Sequence, residues 1–82
     1  MYKVLLTDKA VKNLNKLDIN TSKIIKSKLL EYSKEPFSHA RKLSKISIGT
    51  YRFRVGDYRI IFDIDKDNIV VLKIGHRKEI YR

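Results

Sequence analysis

The sequence contains no cysteine, and this absence excludes disulfide bonds, thiolate nucleophiles and zinc sites built on sulfur. No stretch approaches the ~20 apolar residues that a membrane span requires, and the opening apolar run is too short for the core of a signal peptide. Acidic residues are scarce, nine Asp and Glu against 19 Lys and Arg, so the formal net charge is +10. We therefore expect a cytoplasmic protein, away from membranes, with a polyanionic partner.

Metal and cofactor chemistry has little support in this chain. The two histidines are His39 and His76, the carboxylates are scattered, and there is no Walker loop, HExxH or CxxC motif. We expect no metal and no cofactor. The 82 residues, 43% of them apolar, suffice for one domain over residues 1–82 but leave no room for a second core. Because a chain of this length buries only about 60% of its unfolded surface, it gains from a stabilising partner.

Hydrophobic periodicity predicts a strand and then a helical hairpin in the first half of the chain. The strand covers residues 2–7, and the helices cover 8–17 and 21–34, where Pro36 forbids continuation. Polar residues at the helix starts can act as caps: Thr7 or Asp8, and Asn20 or Thr21. The side chains that we expect to face the core are Ala10, Val11, Leu14 and Leu17, then Ile24, Ile25, Leu29 and Tyr32.

Alternation with a period of two predicts three further strands, at 51–55, 58–63 and 69–74, the first two joined by a turn at Gly56-Asp57. The strand at 69–74 has apolar residues at odd and even positions alike, which indicates a central strand covered on both sides. Residues 36–49 show no clean period, and we interpret them as an ordered connection that Leu43, Ile46 and Ile48 anchor to the core. The order β-α-α-β-β-β predicts an α+β fold in which a helical hairpin packs on an antiparallel sheet.

Arginine is the cation of the predicted strands, although lysine is commoner elsewhere. Arg52 and Arg54 project from one face of a strand, about 6.5–7 Å apart along it. A hairpin centred on Gly56-Asp57 brings Arg59 beside Arg54 if the register puts it on the same face. Guanidinium groups bind phosphate in fixed, bidentate geometry, so the pattern indicates a phosphodiester site. The alternative is an ordinary solvated strand face in a basic protein.

Arg77 and Tyr81 follow the last predicted strand, where they are placed to close this surface from the side. Tyr81 is either an anchor for the last segment or a platform on which a nucleobase stacks. His76 fits a structural residue at the strand end better than a catalyst, and His39 fits a surface position.

Residues 49–62 and 74–81 resemble the core signature of RelE-type toxins of the RelE/ParE superfamily. The specific parts are the run Tyr-Arg-x-Arg-x-Gly-x-Tyr-Arg and the trailing His-Arg-x-x-x-Tyr, and the resemblance extends to the opening strand and the helical hairpin. It implies a type II toxin, a metal-independent endoribonuclease that cleaves mRNA in the ribosomal A site. It also implies a cognate antitoxin that holds the toxin inactive.

The resemblance implies a role for each residue of the motif. The strand residues that would orient and neutralise the scissile phosphate are Arg52, Arg54 and Arg59, while Arg77 would assist the leaving group and Tyr81 would stack on a base. The 2′-hydroxyl of the substrate would attack the adjacent phosphate, giving a 2′,3′-cyclic phosphate and a 5′-hydroxyl.

The general base is the open point of this mechanism. Well-studied family members have lysine at the positions of Arg52 and Arg54, and arginine keeps its proton at neutral pH. We therefore interpret both as electrostatic clamps. The base is then absent, supplied by the RNA of the ribosome, or His76, whose ordinary pKa suits proton transfer.

The expected antitoxin is acidic and partly disordered, because a basic domain with a marginal core gains stability from a chain that folds as it wraps. Two other classes of function stay open. One is a ParE-like gyrase poison, which by the resemblance shares the fold and lacks this catalytic set, and the other is a non-catalytic module that binds nucleic acid or the ribosome. All five motif positions hold a basic or aromatic residue in this chain, which favours the cleaving toxin.

Overall fold

The structure is a computed structural model, and it describes residues 2–44 and 48–81. The strands are β1 (Lys3–Leu6), β2 (Arg41–Lys42), β3 (Tyr51–Val55), β4 (Tyr58–Asp65) and β5 (Asn68–His76), and the helices are α1 (Asp8–Asn15), α2 (Ile19–Tyr32) and α3 (Pro36–His39). The sheet has the order β1-β5-β4-β3-β2. Its last three long strands form the predicted antiparallel meander, and β1 runs parallel to β5. The α+β prediction is confirmed, with a mixed sheet.

The caps of the two long helices differ in how well the sequence predicts them. Thr7 caps α1 as predicted: its Oγ1 accepts a hydrogen bond from the amide of Ala10 at 3.2 Å. The predicted cap of α2 is wrong, because Asp18 precedes the helix and accepts from the amide of Thr21 at 2.7 Å. A carboxylate is a strong N-cap, so α2 begins two residues before the predicted start.

The core lies between the helices and one face of the sheet. The rings of Phe53 and Phe62, with centroids 4.2 Å apart, lie within it, and Tyr32 of α2 packs on Phe53 at 5.3 Å. Val11 and Ile24 were expected to face the core, but both are exposed, Ile24 to 55%. The helices therefore bury a narrower apolar stripe than the sequence pattern indicates.

A β-bulge in β5 decides which of its residues face the helices. Phe62 lies opposite Val71, whereas Ile61 lies opposite Lys73, so Leu72 is an extra residue. Val71 and Ile74 both join the core although they are three residues apart. The strand is central, as predicted, between β1 and β4. Apolar residues occur at both odd and even positions of β5 because the bulge reverses which positions face the helices, as well as because the strand is buried.

Residues 36–49 contain α3 and β2, two short elements that the sequence pattern does not predict. The expectation that Leu43 and Ile48 anchor this segment to the core is wrong: both are half-buried and line a cleft beside Arg52, outside the core cluster. The third expected anchor, Ile46, lies outside the described residues. In the part of the chain that is described, no helix is long and apolar enough to cross a membrane.

Candidate active site

Three arginines lie on the sheet face opposite the helices. Arg54 pairs directly with Arg59 across β3 and β4, and Arg52 pairs with Ile61. Because Phe53 faces the core, alternation along the strand turns Arg52 and Arg54 to the other side. Directly opposed Cβ atoms are about 5 Å apart, and diagonal neighbours about 7 Å apart. The predicted placement of Arg59 is confirmed, and we call the surface of Arg52, Arg54 and Arg59 the arginine face.

Arg59 is the most buried of the three, with 7% of its surface exposed. Its Nη1 donates hydrogen bonds to the carbonyl oxygens of Gly56 and Tyr58, both at 2.9 Å. Burial lowers the pKa of Arg59, and the positive charges of Arg54 and Arg52 lower it further. Since arginine stays protonated up to about pH 12, Arg59 is a cation held in place before any ligand arrives.

Arg77 lies at the end of the arginine face, beside the turn between β3 and β4. Its amide donates to the carbonyl oxygen of Asp57 at 2.7 Å, and its Nε lies 3.6 Å from Oδ1 of Asp57. Both side chains are more than half exposed, so this ion pair is weak and its guanidinium is accessible to a ligand. The charge of Arg77 is close enough to contribute to the lowered pKa of Arg59.

Tyr81 lines an open cleft together with Arg52. The cleft has a volume of about 440 Å³, and the rest of its wall comprises Lys42, Leu43, Ser44 and Ile48. This volume falls within the ~300–1,000 Å³ range of small-molecule sites. Tyr81 is 45% exposed, so part of its ring is available for stacking. The structure therefore places an aromatic ring and a guanidinium group on one cleft.

His76 does not share the arginine face. It pairs with Tyr58, whose ring packs against the core, and the two rings meet edge to face with centroids 5.5 Å apart. Its Nδ1 accepts a hydrogen bond from the amide of Lys78 at 3.1 Å. This position on the helical side supports the structural role and argues against His76 as the general base. His39 is exposed and stacks on Tyr32, with ring centroids 4.2 Å apart.

Two cations beside the arginine face were not predicted from the sequence. Arg41 of β2 lies opposite Arg52, and Lys73 of β5 lies opposite Ile61. A strand of two residues is too short to show alternation, and the bulge at Leu72 changes the parity of Lys73. Within residues 2–44 and 48–81, no three His, Asp or Glu side chains are grouped so that they could hold a metal ion.

The molecule is a small α+β domain in which one face of the sheet carries three arginines beside an open cleft. A model of the ParE toxin of type II toxin–antitoxin systems matches residues 4–81. The chain therefore belongs to this toxin family, within the RelE/ParE superfamily that the sequence resembles.

Characterised relatives agree with this assignment. Toxin RelG of Mycobacterium tuberculosis is 31% identical over 99% of this chain and 97% of its own length. A chain of the M. tuberculosis toxin–antitoxin complex RelBE2 superposes with a TM-score of 0.83 and 29% identity, over 93% of this chain and 98% of that one. The isolated Escherichia coli RelE toxin gives 0.74 and 26%, over 99% and 92%. The RelE-RelB complex of Pyrococcus horikoshii gives 0.75 and 26%, over 95% and 97%.

Proposed function

We propose that this toxin is an endoribonuclease that cleaves mRNA in the ribosomal A site. The observation that carries the proposal is the geometry of one surface: Arg54 is paired with Arg59, and Arg52 shares a cleft with Tyr81. A nuclease that acts on single-stranded RNA needs cations for the scissile phosphate and an aromatic ring for a neighbouring base. Both kinds of group are present side by side.

The proposed reaction is an internal transesterification. The 2′-hydroxyl oxygen forms a bond to the adjacent phosphorus, and the bond from phosphorus to the 5′-oxygen of the next nucleotide breaks. The hydroxyl proton goes to a base, and the 5′-oxygen receives a proton, so the products are a 2′,3′-cyclic phosphate and a 5′-hydroxyl. Negative charge grows on the nonbridging oxygens, and preorganised guanidinium donors stabilise that charge more than the ground state.

Each site residue has a role that its surroundings support. Arg59 is held by two carbonyl groups and supplies a fixed charge, and Arg52 and Arg54 clamp the phosphate beside it. Arg77, accessible at the end of the face, assists the leaving 5′-oxygen. Tyr81 stacks on a base.

The arginines cannot accept the hydroxyl proton at neutral pH, and His76 lies on the other side of the sheet. We therefore propose that the RNA of the ribosome supplies the base, which makes cleavage dependent on the ribosome. A ribosomal target also places this toxin in the cytoplasm.

Inhibition of DNA gyrase is a second candidate function, and the name of the matching family model favours it. By the resemblance stated above, ParE-like poisons share the fold and lack the catalytic set. The presence of Arg52, Arg54, Arg59, Arg77 and Tyr81 in this chain favours cleavage instead.

Primer extension on a defined mRNA with purified ribosomes tests the proposal. The wild type should cut at A-site codons, and Arg77→Ala should lose about 10²- to 10³-fold in rate while still binding ribosomes. Lys26→Met, which removes one charge from the exposed side of α2, is the matched control and should cut normally. A wild type that inhibits gyrase supercoiling without cutting would establish the second candidate. Ribosome binding with neither effect would indicate a non-catalytic module.

We also propose that an acidic, partly disordered antitoxin binds the helices. The M. tuberculosis and P. horikoshii structures named above are toxin–antitoxin complexes. On this chain Ile19 and Leu30 of α2 are 69% and 63% exposed, and Lys23 is exposed on the same helix. Exposed apolar side chains beside a lysine fit a partner that brings apolar and acidic residues together.

A further inference from the structure

We infer that Lys73 is a positioning residue that holds Tyr81 at the cleft. Lys73 projects on the same side of the sheet as Ile61, its cross-strand neighbour. Its Nζ donates a hydrogen bond to the carbonyl oxygen of Ile80 at 2.8 Å. That carbonyl belongs to the peptide group that leads into Tyr81, so the bond sets the direction in which Tyr81 leaves the turn.

Ile80 is held at three different points. Its amide donates to the carbonyl oxygen of His76 at 2.9 Å, which closes the turn after β5. Its side chain is 1% exposed and packs on Gly75, where an added Cβ would lie 3.1 Å from Cδ1 of Ile80. The contact made by the carbonyl oxygen comes from Lys73. Together these contacts fix the amide, the side chain and the carbonyl of the residue before Tyr81.

The turn itself has little burial with which to hold Tyr81. Arg77, Lys78 and Glu79 are all exposed, so Ile80 is the buried anchor of the segment. A hydrogen bond from an ammonium group to a partly buried carbonyl is stronger than a neutral one. Losing it frees the peptide group between Ile80 and Tyr81, while the amide and side-chain contacts of Ile80 persist.

Direct contact with RNA phosphate is the competing role for Lys73, since it is a cation beside the arginine face. The two roles differ in whether the effect of replacing Lys73 depends on Tyr81. A positioning lysine acts through Tyr81, whereas a phosphate-binding lysine acts independently of it and adds about one unit to the salt slope of RNA binding.

NMR relaxation of the isolated chain tests the positioning role without any activity. In the wild type the order parameter of the Tyr81 amide should be near the ~0.85 of rigid backbone, and in Lys73→Met it should fall below about 0.6. Lys73→Arg, which retains a donor, should restore order, and Lys26→Met should resemble the wild type. A Tyr81 amide that is equally ordered in Lys73→Met and the wild type would overturn the inference.

The consequence for cleavage rests on the proposed function and is tested by a double-mutant cycle. Lys73→Met should lower kcat/KM about tenfold in the wild type, the effect of losing one charge-assisted hydrogen bond, but less than about twofold in Tyr81→Ala. The salt slope of binding should be unchanged. Equal losses in both backgrounds would show that Lys73 contacts RNA directly and would overturn the inference. If the wild type does not cleave, the proposed function fails, and the relaxation comparison still decides the role of Lys73.

Discussion

Replacing Arg59 with methionine tests whether the arginine face stores electrostatic repulsion in the folded protein. The pKa of Arg59 is lowered by burial and by the charges of Arg54 and Arg52. A lowered pKa means that folding disfavours the charged form, so the charge of Arg59 costs stability at neutral pH. Methionine keeps an unbranched apolar chain and removes the cation.

Coulomb's law gives the size of the effect. Two unit charges in a water-like dielectric repel by about 0.8 kcal/mol at ~5 Å and about 0.6 kcal/mol at ~7 Å. These are the ordinary Cβ–Cβ spacings of directly paired strand residues, as Arg59 and Arg54 are, and of diagonal ones, as Arg59 and Arg52 are, and they set the scale of the charge separation. The unscreened sum is about 1.4 kcal/mol. The Debye length falls from ~30 Å at 0.01 M salt to ~3 Å at 1 M, so salt should screen about 1 kcal/mol of this repulsion.

Urea unfolding at 0.01 M and 1 M sodium chloride measures that difference. The free energy of unfolding of the wild type should rise with salt by about 1 kcal/mol more than that of Arg59→Met. The hydrogen bonds that Arg59 donates to Gly56 and Tyr58 are lost at both salt concentrations, so they largely cancel in this comparison. Lys26→Met removes an equal charge from an exposed helix position and should follow the wild type. An equal salt response in the wild type and Arg59→Met would refute the reasoning.

Three further outcomes follow from single contacts. Gly49→Ala should lower the free energy of unfolding, measured by urea titration, by about 1–3 kcal/mol, because Gly49 has a φ of +150° and a Cβ there would overlap Cγ2 of Ile61. Adding Ile61→Leu, whose side chain lacks that branch, should restore part of the loss. Hydrogen bonds from Thr21 hold the pKa of Asp18 below its ordinary value, so Asp18→Ala should lower the Tm at pH 7, and the gap to the wild type should close as the pH falls below about 4. Leu30→Asp should weaken antitoxin binding in calorimetry about 10- to 100-fold. Ser38→Asp, which adds the same charge at an exposed polar position outside α2, is the control that should bind normally.

The long helices and strands and the centre of the arginine face are predictable from the sequence, because the rules involved are local. Arg52 and Arg54 share a face of any strand that contains them. Gly56, with a φ of +58°, allows the tight turn that sets Arg59 opposite Arg54. The cap of α2 was mispredicted because several polar residues near its start can each accept from a free helix amide, and the apolar pattern does not rank them.

Which side of the sheet each residue at the end of β5 faces depends on contacts between distant parts of the chain. Strict alternation from Ile69 would put His76 with the arginines and Lys73 with the core, and the bulge at Leu72 exchanges them. The bulged region is bonded to the first helix: the hydroxyl of Thr7 donates to the carbonyl of Leu72 at 3.2 Å, and Oδ1 of Asn13 accepts from the amide of Ile74 at 2.9 Å. These partners are 65 and 61 residues apart in the chain, beyond the reach of any local pattern.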